Sequence, residues 1–301
     1  MSENDNGKHG SAPKHAGVPK HGGDPKDGSV PKDAGGPTNG IERIAAAFAQ
    51  TGKQAALMPY LMGGYPTLAD SIRIGEACIR AGADTIELGM PYSDPLADGP
   101  VIHAAGTQAL RAGANVAGVL EVARALAQSV PVVLMCYANM VFAPGAEAFV
   151  ERLQKTGASG LIVPDLPLGE DPRVGEACRA YGLALVPLVA PTTTNERLAE
   201  IGESAEGFMY TVSVVGTTGE RAELGEHFAQ VVARAKASTR APVALGFGIS
   251  TPEHALQAAQ AGADGVIVGT RLVRAAGESA DPAGAVGAVV GELAAGLAQA
   301  R

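Results

Sequence analysis

Eight runs of uninterrupted apolar residues, spaced by helical stretches, limit this 301-residue chain to very few folds. The runs span residues 56–62, 84–89, 131–137, 160–164, 184–188, 207–212, 242–246 and 265–269. They do not alternate apolar with polar, which is the pattern of parallel strands covered on both faces. Between them lie helical stretches such as 68–81, 146–156, 169–181, 195–204, 224–237 and 252–261. Ala81-Gly-Ala-Asp84, Ala261-Gly-Ala-Asp264 and the variant Thr156-Gly-Ala-Ser159 each end a helix on a glycine and turn directly into the next strand. Eight βα units of this size predict an α/β chain folded as a (β/α)8 TIM barrel. An extra amphipathic helix at 41–50 precedes the first strand, and a further one at 282–299 closes the chain.

Residues 1–40 follow other rules. Pro13, Pro19, Pro25, Pro31 and Pro37 recur every six residues, and a lysine follows each of the first four. The segment has no apolar face, and glycine fills its gaps. Such a stretch cannot bury enough surface to offset its ordering entropy, so the expectation is a disordered Pro/Gly/Lys-rich tail ahead of one catalytic domain at 41–301. Its His9, His15 and His21 lack the cysteine or carboxylate company of a metal site.

Charge and composition exclude several classes of partner. Five lysines balance five acidic residues in the tail, so the net charge of −8 falls on the body. That argues against nucleic acid and anionic membranes. No tryptophan and 4% aromatic residues leave no stacking platform for single strands. No apolar run is long enough to span a bilayer, and no secretory h-region is present. Cys78, Cys136 and Cys178 are scattered without metal or redox spacing, which fits core packing in a reducing cytoplasm.

In a TIM barrel the chemistry sits where strands end and βα loops begin. The second strand ends in Glu87-Leu-Gly-Met-Pro-Tyr-Ser-Asp-Pro-Leu-Ala-Asp-Gly-Pro100, which places Glu87 near the strand end and Asp98 in the loop beyond. A buried carboxylate is costly unless it is paired or used, so Glu87 is either a structural group hydrogen-bonded to backbone or a proton carrier. Gly219, Gly248 and Gly269 follow the sixth, seventh and eighth strands. Helix starts after the last two strands of such barrels bind phosphate through bare backbone N–H groups.

Rival chemistries lack their residues. Lys53, Lys155 and Lys236 are the only lysines of the body and none ends a strand, so a Schiff base has no nucleophile. His103, His227 and His254 are far apart, and neither a Gly-x-Ser-x-Gly elbow nor a dinucleotide fingerprint is present. Glu87 and Asp98 remain, able to face a substrate from different sides as acid/base groups.

The stretch from Glu87 to Pro100 resembles the signature of the tryptophan synthase α chain family. Similarity continues in Met58-Pro-Tyr60, Met135-Cys-Tyr-Ala-Asn139, Pro164-Asp-Leu-Pro167, Gly216-Thr-Thr-Gly219 and Gly246-Phe-Gly-Ile-Ser250. The resemblance implies retro-aldol cleavage of indole-3-glycerol phosphate to indole and glyceraldehyde 3-phosphate in tryptophan biosynthesis. By the same resemblance Glu87 is the general acid/base and Asp98 holds the indole N–H. Tyr60 and Tyr210 line the indole pocket, or else are ordinary core aromatics. Thr218 closes over the substrate, and Gly219, Phe247, Gly248, Gly269 and Thr270 bind its phosphate.

No metal or organic cofactor is expected in this chain. The implied partner is a β chain carrying pyridoxal phosphate in an α2β2 heterotetramer, faced by Pro91–Pro95, so that Asp94 serves the interface or loop structure. Thr270, Val214 and His103 stand where other members often carry Ser, Arg and Gln. Two other readings stay open. Another phosphate-binding barrel, such as indole-3-glycerol phosphate synthase or a sugar-phosphate isomerase, would share the glycines but needs a strand-end Lys or paired Asp. A non-catalytic subunit that binds ligand and activates the β chain would not need both Glu87 and Asp98.

Overall fold

Short helix-capping signals and apolar runs alternate along the whole body, and each run becomes a strand. The computed structural model describes residues 39–212, 221–246 and 248–298. The strands among them are β1 (Ala56–Met62), β2 (Ile86–Gly89), β3 (Val132–Met135), β4 (Gly160–Ile162), β5 (Ala184–Leu185), β6 (Leu188–Val189), β7 (Met209–Val212), β8 (Val243–Gly246) and β9 (Gly265–Val268). The helices are α1 (Gly40–Gln50), α2 (Leu68–Arg80), α3 (Pro100–Arg111), α4 (Val116–Leu126), α5 (Ala138–Phe142), α6 (Ala146–Gln154), α7 (Pro172–Ala180), α8 (Asn195–Glu203), α9 (Arg221–Ser238), α10 (Pro252–Gln260), α11 (Thr270–Glu278) and α12 (Pro282–Ala298).

All pairings are parallel, in the order β5-β4-β3-β2-β1-β9-β8-β7-β6. The two ends of that order are halves of one strand. Val186 N–H donates to Leu161 O on one side, and Pro187 O accepts from Tyr210 N–H on the other. The chain therefore closes the expected eight-stranded barrel through residues 184–189. The fifth expected run is split in two because Pro187 has no N–H to continue a ladder.

Cap chemistry explains where the helices begin and end. Thr67 accepts from Asp70 N–H at α2, Asp171 from Arg173 N–H at α7, and Thr251 from His254 N–H at α10. Past the last turns, Gly82, Gly157 and Gly262 take φ of 105°, 80° and 98°, a region closed to most side chains. The aspartates after two of these glycines have a second task. Asp84 Oδ2 accepts from Leu57 N–H at 2.7 Å and pairs with Lys53, while Asp264 Oδ2 accepts from Val243 N–H at 2.8 Å and pairs with Lys236. Each carboxylate thus pins the start of a neighbouring strand, and β2 begins at Ile86 rather than at Asp84.

Helix α1 plugs the N-terminal mouth of the barrel. Asn39 caps it by accepting from Glu42 N–H at 2.9 Å. Ile44 is fully buried against Gly160 and Gly207, and a Cβ on Gly207 would lie 3.2 Å from its Cδ1. Phe48 packs on Gly265, and its ring centroid is 5.7 Å from that of Phe208. The tail read over 1–40 lies outside the described residues up to 38, and the end of the closing helix lies outside them beyond 298.

Candidate active site

Strand alternation fills the barrel's interior, and the register of β1 and β2 sets Tyr60 opposite Glu87. Met58, Tyr60 and Met62 of β1 join Val133, Ile162, Tyr210, Ala244 and Ile267 in one inward-facing cluster. Three glycines at the C-terminal ends of strands leave space for the two tyrosines. A Cβ on Gly89 would stand 2.1 Å from Tyr60 Oη, and one on Gly246 would stand 2.4 Å from Tyr210 Cε2. A Cβ on Gly269 would stand 3.3 Å from Tyr60 Cβ and Cδ1. The phenols are thereby aimed at the mouth where βα loops converge.

Glu87 lies between these tyrosines at 1% exposure. Among the described residues neither of its carboxylate oxygens has a hydrogen-bond partner. Burial pushes its pKa from 4.5 up to about 8. A structural carboxylate is held by hydrogen bonds, and none reaches Glu87 among the described residues. Both Tyr60 and Tyr210 are held well above the ordinary phenol range, first by burial and then by the charge of nearby carboxyl groups, with Glu87 among them in each case. Both phenols stand beside a carboxyl whose pKa burial has raised to about 8.

Asp98 reaches the site from the loop between β2 and α3. Its Oδ1 accepts from the Tyr137 hydroxyl at 3.0 Å, and that same hydroxyl accepts from Ala97 N–H at 3.0 Å. Burial raises the Asp98 pKa, while the Tyr137 hydrogen bond and His103 pull it down. Tyr60 also feels the charge of Asp98, so the loop carboxylate and the barrel interior share one electrostatic field. Tyr137 was not singled out from sequence. The signal was present in the alternation Val133, Met135, Tyr137, which turns its side chain toward the barrel axis just past the end of β3.

The remaining glycines stand at helix starts. Gly248 has a φ of 81° and lies four residues before Pro252, the first residue of α10. Gly269 is the N-cap of α11 and Thr270 its first residue. Two helix N-termini therefore follow β8 and β9, the arrangement suited to an anion. Thr218, Gly219 and Phe247 lie outside the described residues. Among the described residues no cluster of three or more His, Cys, Asp or Glu side chains could hold a metal ion.

Known proteins are similar to this chain in sequence and fold. A family model described as tryptophan synthase alpha chain matches residues 46–300. The tryptophan synthase alpha chain of Synechocystis is 45% identical over 238 residues, covering 78% of this chain and 90% of the relative. That of Methanosarcina acetivorans is 46% identical over 222 residues, covering 74% and 81%. Among solved structures, tryptophan synthase from M. tuberculosis in an open form superposes with a TM-score of 0.78 at 38% identity, covering 86% of this chain and 99% of that one. The tryptophan synthase a2b2 complex of Pyrococcus furiosus gives 0.76 at 36% identity, covering 80% and 98%.

Proposed function

The chain belongs to the tryptophan synthase alpha chain family, and from that membership we propose a reaction, with a role for each residue of the site. The reaction is retro-aldol cleavage of indole-3-glycerol phosphate to indole and glyceraldehyde 3-phosphate, by a carbon–carbon lyase serving tryptophan biosynthesis. Protonated Glu87 gives its proton to indole C3, and the ring nitrogen takes up the positive charge. Asp98 accepts a hydrogen bond from the indole N–H and stabilises that charge. The Glu87 carboxylate then removes the proton of the glycerol hydroxyl. The bond from C3 to the glycerol carbon breaks, its electron pair restores the aromatic ring, and the carbonyl of glyceraldehyde 3-phosphate forms. Glu87 ends protonated, as it began.

The observation that carries this reading is the state of Glu87, buried, without a hydrogen-bond partner among the described residues and with a pKa raised to about 8. A general acid works best when its pKa lies near the working pH. Tyr60 and Tyr210 line the indole pocket in this reading. Gly248, Gly269 and Thr270, with Gly219 and Phe247, hold the phosphate through backbone N–H groups, and Thr218 closes over the substrate. One catalytic domain over 41–301 carries the site, preceded in sequence by the Pro/Gly/Lys-rich stretch at 1–40. The chemistry draws on no cofactor in this chain; pyridoxal phosphate belongs to the partner β chain of an α2β2 heterotetramer. No helix among the described residues is long and apolar enough to cross a membrane, and the reaction is assigned to the cytoplasm.

Indole release from indole-3-glycerol phosphate, measured for the chain plus a β chain, tests the assignment. Glu87→Gln and Asp98→Asn should each cut turnover by roughly a hundredfold or more, the scale for losing a general acid or base at Glu87 and a charge-stabilising group at Asp98. A wild-type chain that binds the substrate and stimulates the β chain but releases no indole would mark it as an effector subunit.

A further inference from the structure

The site's two carboxylates are held in opposite ways. Glu87 is fixed by its strand, whereas Asp98 sits on a loop and needs something else to set its direction. The hydroxyl of Tyr137 donates to Asp98 Oδ1 and accepts from Ala97 N–H, both at 3.0 Å, so one oxygen ties the side chain and the backbone just before it. The Tyr137 ring packs on Tyr92 with centroids 5.2 Å apart, and Tyr92 Oη accepts from Asn139 Nδ2 at 3.3 Å. The loop is thus anchored at both ends against the segment after β3. Among the described residues Asp98 Oδ2 has no hydrogen-bond partner and is left over as an acceptor.

We propose that Tyr137 is the positioning residue for Asp98, aiming the loop carboxylate so that Oδ2 receives the indole N–H. This rests on the retro-aldol reading above. Among the described residues no other side chain hydrogen-bonds the Asp98 carboxylate. His103 on α3 and Tyr60 on β1 reach it through charge, whereas the Tyr137 hydroxyl hydrogen-bonds its carboxylate directly. A positioning group acts only through the group it positions, and that property is measurable.

A double-mutant cycle on indole release, with the β chain present, isolates it. Tyr137→Phe keeps the ring and its contact with Tyr92. It should lower kcat/KM roughly tenfold, the scale of a hydrogen bond to a charged group, mostly through kcat with KM held within about threefold. In an Asp98→Ala background the same change should cost less than about twofold, because the group through which it acts is gone. Equal losses in both backgrounds, or a Tyr137→Phe enzyme within about twofold of wild type, overturn the proposal. A wild-type chain that releases no indole removes the reading beneath it and the proposal together. Should Tyr137→Phe not fold, ortho-fluorotyrosine at position 137 keeps the shape and strengthens the donor. It should move the acid limb of the kcat/KM profile downward, and an unmoved limb refutes the proposal.

Discussion

Removing the ionisable group of Glu87 should change how the stability of the whole barrel depends on pH. Burial raises its pKa from 4.5 in the ordinary state to about 8 in the fold. Between those values the folded protein holds a proton that the unfolded chain has released. Stability therefore falls as pH rises, intact below about pH 4.5 and with the loss nearly complete above about pH 8. At about 1.4 kcal/mol for each pH unit of difference, the full loss approaches about 5 kcal/mol. About 3 kcal/mol of it is already spent at pH 7, and the step from pH 6 to pH 9 takes roughly 2 to 3 kcal/mol. Other groups titrate as well, so the informative quantity is wild type minus Glu87→Gln, which has nearly the same shape and no proton to lose. Urea unfolding at several pH values between 6 and 9, analysed with a shared m value, gives that difference directly. The two stability profiles should diverge by about 2 to 3 kcal/mol over this range, with the variant the flatter. Parallel profiles would mean that Glu87 ionises as an ordinary carboxylate, and the case for it as an acid at neutral pH would fail with them.

Two further outcomes follow from packing. Gly89→Ala places a methyl group 2.1 Å from Tyr60 Oη, so steady-state indole release should fall at least roughly tenfold, and pairing it with Tyr60→Leu should recover part of the loss. Ile44→Ala empties the plug beneath the barrel; it should cost about 2 to 5 kcal/mol in urea unfolding while the rate per folded molecule stays near wild type.

Much of the fold was legible because a parallel barrel writes itself as uninterrupted apolar runs. Ala81-Gly-Ala-Asp84 and Ala261-Gly-Ala-Asp264 marked helix ends without showing that Asp84 and Asp264 reach sideways to Leu57 and Val243, since that contact links residues 27 and 21 positions apart. Helices α3, α4 and α5 were not among the stretches named from sequence, and α3 and α5 show why. The first starts at Pro100 straight out of the Asp98 loop, and the second is only five residues long, too short for a 3.6-residue period to register. The strand-end rule located Glu87 and Asp98 as candidates. It passed over Tyr137, because what matters about that residue is a hydrogen bond across 39 positions of chain. No local pattern encodes such a bond.

The seam at Pro187 divides the barrel wall into a firm side and a yielding one. Tyr60 and Glu87 stand on β1 and β2, in the middle of the run of pairings, with a fully bonded neighbour on each side. Tyr210 stands on β7, whose outer neighbour is the short half-strand β6 and whose own N–H bonds to Pro187 O. Thermal breathing starts where a ladder is thinnest. Local opening is therefore expected first beside Tyr210 rather than beside Glu87, an order that amide hydrogen exchange on β7 and β2 would read out.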